Sequence, residues 1–346
     1  MQSQYTRFFE QIEGELARTI PARPDQAWFR RFFGDLPGSF FPGPEIVSAL
    51  NAPAIELVRR GGKRWRPLVL EAAARAWGRE DGAISLTPLV ELAHSGSLIV
   101  DDIEDGAEKR RGGRAIHLMF GVDAAVNDGN LLYFLPLALI DEFDAPLPVR
   151  HALHARYALH MRRLHLGQAM DIEWHRRDDA MPGEADYLAM CALKTGVLAR
   201  ASAELGALAA GAPEAAASAL GGVFESVGVA FQILDDAKNL RSGLPGKDRG
   251  DDIVEGKKSL PVILACAAEP RLLGELGRCF AAARARGVAA PEVEEAIGIL
   301  ERSGAISASL SRARRMLDAA HGDLARIMPD APRRAGLEGI FALLDA

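Results

Sequence analysis

The sequence predicts an all-α fold, a single large helical bundle around one core. Three observations carry this. Ala and Leu dominate the composition and β-branched residues rarely alternate with polar ones, which favours helix almost throughout. From Ile55 onward, long apolar-periodic stretches alternate with short breaks of Gly, Pro and Asp. No short-period repeat, low-complexity tract or linker divides the chain after that point, so the helices are expected to share one core.

Taken in order, residues 1–54 stand apart. Pro21, Pro24, Pro37, Pro42, Pro44 and Pro53 interrupt the chain there, which predicts an N-terminal helix and an irregular Pro-rich wrap ahead of a main domain over 55–346. Within that domain the apolar period predicts helices over 66–77, 86–104 and 122–142. The breaks between them carry Gly78, Gly82 and Gly121. Longer helices are expected over 148–175, 184–210 and 214–241, separated by segments holding Pro182, Gly183, Gly211 and Pro213. Helices over 258–268, 291–302 and 305–328 complete the bundle.

Composition also excludes several functions. Across 346 residues, 49% are apolar and 25% charged, as in packed globular proteins and unlike disordered ones. A net charge of -6 argues against a general nucleic-acid binder, which needs a broad basic face. Cys191, Cys266 and Cys279 fit neither a metal-binding spacing nor a paired framework, so reduced thiols and a cytoplasmic location are expected. The first residues, MQSQYTRFFEQ, hold no apolar signal core, and no stretch reaches eighteen unbroken apolar residues. A soluble chain without a transmembrane segment is therefore expected.

The chemistry concentrates at two acidic helix ends. Asp101, Asp102 and Asp105 close the apolar run SLIVDDIED, and Asp101 and Asp105 lie one turn apart on one face. Carboxylates at the negative end of a helix repel one another and the helix dipole. A hard divalent cation reverses that sign, and Mg²⁺ is commonly held by one or two carboxylates plus phosphate oxygens of a substrate. Asp235, Asp236 and Asn239 repeat the spacing in FQILDDAKN, with a neutral oxygen last. Two such sets facing each other would clamp a diphosphate through bound metal.

Basic residues supply the other half. Lys63 and Arg66 follow the Gly61–Gly62 pair at a helix start, a suitable place for an anion. Arg110 and Arg111 follow the first acidic end, while Lys194 and Lys257 lie further on. Arginine forks grip phosphate oxygens bidentately and lysine acts as a mobile point charge. Metal-bound and metal-free phosphate sites together imply two phosphorylated substrates.

In order, GGKRWRP, HSGSLIVDDIEDGAEKRRG, LKTG, FQILDDAKN and GDDIVEGKKSLP resemble the motifs of the trans-isoprenyl (polyprenyl) diphosphate synthases over roughly residues 55–330. VNDGNLLYF (126–134), LHLGQAMDIEW (164–174) and the DDxxN form of the second motif are most similar to eukaryote-type geranylgeranyl diphosphate synthases. The resemblance implies the isoprenoid synthase bundle with a central active-site cavity. It also implies a homodimer that condenses isopentenyl diphosphate with an allylic diphosphate. Three Mg²⁺ ions per site are expected, with Mn²⁺ as a substitute. Asp101, Asp102, Asp105 and Asp235 would bind metal and, through it, the allylic diphosphate; Asp236 and Asn239 would be weaker, water-mediated members. Arg110, Lys194 and Lys257 would contact that diphosphate directly, and Lys63, Arg66, His94 and Arg111 would hold isopentenyl diphosphate. His94 shares the face of Asp101, two turns away. Gln168, Asp171, Thr195 and Gln232 would line the reaction centre, while His117 matches a motif position that serves structure equally well.

Product length would follow from the tunnel beneath the first motif. Ala93, Gly96 and Ser97 precede Asp101 by eight, five and four residues, and all are small. Farnesyl-producing members place bulky aromatics near these positions, so the expected product is longer than fifteen carbons and twenty is favoured. Tyr133 and Phe134, on another helix, or residues of a partner subunit are left to close the tunnel. Longer-chain or farnesyl synthesis and a non-catalytic subunit of a hetero-oligomeric synthase are the alternatives. A terpene cyclase is disfavoured, because its second metal motif needs a hydroxyl residue and a Glu where Asn239 and Gly243 stand.

Overall fold

A chain this rich in helix formers leaves little for strands, and the computed structural model contains one two-residue pair of them. It describes residues 2–38, 41–177, 181–243 and 248–345. The helices are α1 (Gln2–Thr19), α2 (Gln26–Phe33), α3 (Pro44–Arg59), α4 (Trp65–Ala76) and α5 (Thr87–Glu104). A hairpin of β1 (Lys109–Arg110) and β2 (Gly113–Arg114) follows, then α6 (Ile116–Phe120), α7 (Val122–Phe134), α8 (Ala138–Asp141) and α9 (Leu147–His175). The rest comprises α10 (Glu184–Cys191), α11 (Val197–Ala209), α12 (Glu214–Ser242), α13 (Asp251–Glu255) and α14 (Leu260–Ala268). The last four are α15 (Leu272–Arg286), α16 (Pro291–Arg302), α17 (Ala305–Ile327) and α18 (Ala331–Asp345).

The chain divides into two compact units. The first holds 1–159, 201–219 and 330–346; the second holds 160–200 and 220–329. In the first, α5 packs most extensively on α7, and α4 takes contacts from α5 and α18. Leu68, Leu70, Leu89, Leu92, Ile99 and Leu132 form the heart of its buried set. In the second, α15, α16 and α17 pack on α14, and α13 packs on α15, around Leu240, Val262, Leu276, Phe280, Ile297 and Leu300.

The all-helical expectation holds, and most helix ends agree within two residues. The N-terminal wrap is not irregular: α2 is capped by Asp25, whose side chain accepts from Trp28 N at 2.8 Å, and α3 starts on Pro44 at its first turn and carries Pro53 inside. The helix expected over 122–142 breaks after Phe134, where Pro136 imposes a 3₁₀ turn before α8. Within the main domain the short α6 and α13 and the longer α15 and α18 were not foreseen. Gly274 and Gly277 in α15, and Pro332, Gly336 and Gly339 in α18, weaken the local helix signal, and packing overrides it. α12 is, among the described residues, long and apolar enough to cross a membrane by length and composition, and 61% of that window is buried among the other helices.

Candidate active site

In the first unit α5 delivers its acids to a basic hairpin. Asp102 is fully buried and accepts from Arg110 Nε at 2.7 Å, and Arg110 Nη2 also lies 3.4 Å from Asp101 Oδ2. Asp101 and Asp105 are half-buried at the end of the same helix. The hairpin holds this geometry because Arg60 grips it from the end of α3. Arg60 Nη1 donates to the carbonyls of Arg110 (2.8 Å) and Arg114 (2.9 Å), while Glu56 takes Nε and Nη2. A Cβ at Gly113 would stand 2.6 Å from Arg60 Cζ, so only glycine admits the clamp.

The expected isopentenyl diphosphate residues gather in the same unit. Lys63 is exposed, whereas Arg66 is 7% exposed with its guanidinium 4.8 Å from the Trp65 ring centre. His94, half-buried on α5, is held well below its ordinary pKa by burial and then by Arg66, Arg111, Arg110 and Arg64. It is therefore a neutral imidazole surrounded by cations, able to donate one hydrogen bond and accept another. His117 sits half-buried in α6 with a buried Nδ1 that lacks a hydrogen-bond partner.

The second acidic set, in the second unit, is organised differently. Asp235 is half-buried, but Asp236 is 5% exposed and both its oxygens are used: Tyr187 Oη donates at 2.6 Å and Gln232 Nε2 at 2.7 Å. Burial and the neighbouring Asp252 raise its pKa despite those donors. Gln232 Oε1 accepts from Thr195 Oγ1 at 2.9 Å. Thr195 and Lys194 belong to a π-helical turn over Ala192–Gly196, an uncommon geometry often found at functional positions. The turn is pressed against Gly167 of α9, where a Cβ would lie 2.4 Å from the Lys194 nitrogen. Lys194 Nζ meets Asp171 at 2.5 Å and His175 Nε2 lies 2.9 Å from the same carboxylate. Burial pushes Asp171 up, but Lys194 and then His175 pull it well below the usual carboxylate range. Lys257 pairs with Glu255 and lies 3.7 Å from Asp252. Gln168 is half-buried on α9. Part of the Gly-rich loop expected after this motif, residues 244–247, lies outside the described residues.

Gly96, Phe134 and Asn239 have surroundings that their spacing in the sequence did not predict. Gly96 is small because α7 lies against it: a Cβ there would stand 2.6 Å from Gly129 O and 3.0 Å from Leu132 Cβ. Its missing side chain serves helix contact, not an open tunnel. Phe134 is 68% exposed and cannot close a tunnel within its own unit, whereas Tyr133 is buried, its hydroxyl pKa raised by burial first and then by Glu104 and Asp101. Asn239 is fully buried; its Nδ2 donates to Asp248 O and its Oδ1 accepts from Asp252 N, both at 3.4 Å. That amide ties down the following loop. Ala93 is fully buried and Ser97 half-buried with Oγ on His94 O at 2.8 Å.

Asp101, Asp102, Asp105 and Asp235 are oxygen donors of the kind a hard cation takes. Among the described residues no three acidic, His or Cys side chains form a ready metal cage.

Residues 47–295 match the polyprenyl synthetase family model. The chain belongs to this family. It is 34% identical over 288 residues to a geranylfarnesyl diphosphate synthase of Aeropyrum pernix, covering 80% of this chain and 87% of that protein. It is 34% identical over 231 residues to a geranylgeranyl pyrophosphate synthase of Eremothecium gossypii, covering 64% and 72%. The solved structure of geranylgeranyl pyrophosphate synthetase from Geoglobus acetivorans superimposes with a TM-score of 0.78 at 28% identity, over 97% of this chain and 98% of that one. The polyprenyl synthetase described here is thus a prenyltransferase with the all-α fold expected of it. Two of its side chains escaped the motif reading: Arg60 and Tyr187. Each acts through a partner distant in sequence, so no local pattern marks it; a buried acid or base beside a motif is the only available signal.

Proposed function

We propose that this synthetase joins isopentenyl diphosphate head-to-tail to an allylic diphosphate, makes geranylgeranyl diphosphate of twenty carbons, and releases diphosphate at each step. The observation that carries the reading is the pairing within one unit of an acidic helix end, engaged by Arg110, with a cationic pocket of Arg66, Arg111 and neutral His94. Asp101, Asp102, Asp105 and Asp235 would bind Mg²⁺, whose charge would neutralise the allylic diphosphate and stabilise the charge developing as it leaves. The allylic C–O bond breaks with its electron pair passing to the diphosphate. The double bond of isopentenyl diphosphate then forms the new C–C bond. The resulting cation loses a proton, for which the departed diphosphate is the nearest strong acceptor. Arg110, Lys194 and Lys257 bind the allylic diphosphate in this scheme, and Lys63, Arg66, His94 and Arg111 bind the other substrate. Apolar helix faces keep water from the cation.

The twenty-carbon length is supported by the small Ala93 and Ser97 and by relatives named for geranylgeranyl diphosphate, beside one named for geranylfarnesyl diphosphate. A homodimer is supported by the exposed apolar row Leu118, Met119, Phe120, Val122, Val126 and Phe134 on α6 and α7. The test is incubation of the purified chain with isopentenyl diphosphate and dimethylallyl, geranyl or farnesyl diphosphate, with sizing of the dephosphorylated products. Twenty carbons from all three primers, abolished by EDTA and restored by Mg²⁺, is expected. A fifteen- or twenty-five-carbon end product overturns the length, and inactivity of the chain alone favours a non-catalytic subunit.

A further inference from the structure

Among the described residues only Arg64 and Arg111, apart from glycines, have positive φ, at 48° and 51°. An L-residue in that region is strained and persists only where its surroundings over-determine it. Both arginines adjoin expected substrate contacts: Arg64 stands between Lys63 and Arg66, and Arg111 follows Arg110. What holds them is one buried carboxylate. Glu91 is 2% exposed on α5, one turn before His94. Its Oε1 takes Arg64 Nη1 at 2.5 Å and lies 4.0 Å from Arg111 Nη2. The end of α3 takes the remaining donors, Val58 O accepting from Arg64 Nη2 at 2.7 Å and Leu57 O from Arg111 Nη1 at 3.4 Å. The glycine loop closes over the pair, since a Cβ on Gly62 would stand 3.2 Å from Arg111 Nη2 and 3.5 Å from Arg64 Nη1. A second carboxylate comes from the N-terminal helix: Glu13 Oε1 accepts from Arg64 Nε at 2.7 Å across 51 residues of sequence.

We propose that Glu91 positions the isopentenyl diphosphate pocket by anchoring both basic loops, and that Glu13 makes α1 part of that pocket. The assignment rests on the substrate reading given above. Both are positioning residues: they touch Arg64, and Glu91 also faces Arg111, and through them set Lys63, Arg66 and the hairpin. Without Glu91 the buried Arg64 loses its closest counter-charge and the two strained loops lose their common tether. A diphosphate would then meet cations at the wrong separation, while the acidic end of α5 keeps Arg110 and its own geometry.

The test compares Glu91→Gln and Glu13→Gln with the parent chain. For Glu91→Gln the KM for isopentenyl diphosphate is expected to rise about tenfold, with kcat and the allylic KM within about twofold. Glu13 is half-exposed, so Glu13→Gln is expected to give about a threefold rise of the same kind. A variant in which kcat and both KM values move together reports general packing and overturns the assignment. Should Glu91→Gln fail to fold, Glu13→Gln decides: an unchanged KM for isopentenyl diphosphate sinks the idea. Calorimetric titration with inorganic diphosphate in EDTA reads the basic pocket without catalysis, and weaker binding is expected in both variants. Equal binding overturns the positioning role. Inactivity of the parent chain with weaker diphosphate binding in the variants overturns only the substrate reading.

Discussion

Asp128 sits in α7 with 1% exposure, and neither carboxylate oxygen makes a well-formed hydrogen bond; the amide of Ala54, just past Pro53 in α3, is the donor that favours its charge. Burial outweighs that donor and raises its pKa to about 7. The unfolded chain ionises this group near pH 4, so folding binds a proton between about pH 4 and 7. The neutral acid therefore adds stability that is full at low pH and is lost as pH rises through about 7. Above that the ionised form costs on the order of 4 kcal/mol. Asp128→Asn should melt higher than the parent at pH 8, with the gap narrowing steadily toward pH 4. Thermal melts across that range check this, and a gap independent of pH defeats it. Asp171 shows the opposite balance, because Lys194 and His175 hold it ionised although it is equally hidden. Burial alone does not set the charge of a carboxylate; the nearest cation does.

Between elements, the contact of α5 with α7 shows how little room a motif helix has. Gly96 and Gly129 face each other, and a Cβ on Gly129 would stand 2.9 Å from Val100 Cγ2. Gly96→Ala should destabilise the fold by about 1–3 kcal/mol through overpacking. Gly96→Phe would part the helices before it could narrow any tunnel. Ser97, half-buried one position on, is the informative site: Ser97→Phe should shorten the main product from twenty to fifteen carbons while the melting point of the chain stays nearly unchanged. Product sizing beside a thermal melt checks the pair, and an unchanged product length removes Ser97 from the tunnel. This contact also marks what sequence can tell. Asp101–Asp105, Lys63, Arg66 and LKTG stand out in the sequence because each motif couples residue type to local spacing. A small residue reads alike whether it faces a cavity or a neighbouring helix, so Gly96 was misassigned. Asn239 shows a related limit: its spacing copies an acid's, while its amide also serves the backbone of the next loop. α15 and α18 were missed because packing, not propensity, makes them helices.

At the scale of the whole molecule, one acidic motif belongs to each of the two compact units, a division that no linker in the chain marks. The motifs also differ in readiness. Asp101 and Asp102 are held by Arg110, while Asp236 is committed to Tyr187 and Gln232, which leaves Asp235 as the ligand candidate of the second set. If the two motifs serve one ionisation step, they act as a unit and their loss is not additive. Asp101→Ala and Asp235→Ala should each lower kcat by about a hundredfold or more, the scale of losing one electrostatic group at a developing charge. The double variant should be scarcely worse than the more damaged single one. Tyr187→Phe, which removes only the 2.6 Å donor to Asp236, should fall far less, by about tenfold. Steady-state kinetics with saturating Mg²⁺ and both substrates measures all four variants. A double variant whose loss equals the product of the single losses would assign the motifs to separate steps, and each unit would then need a diphosphate of its own.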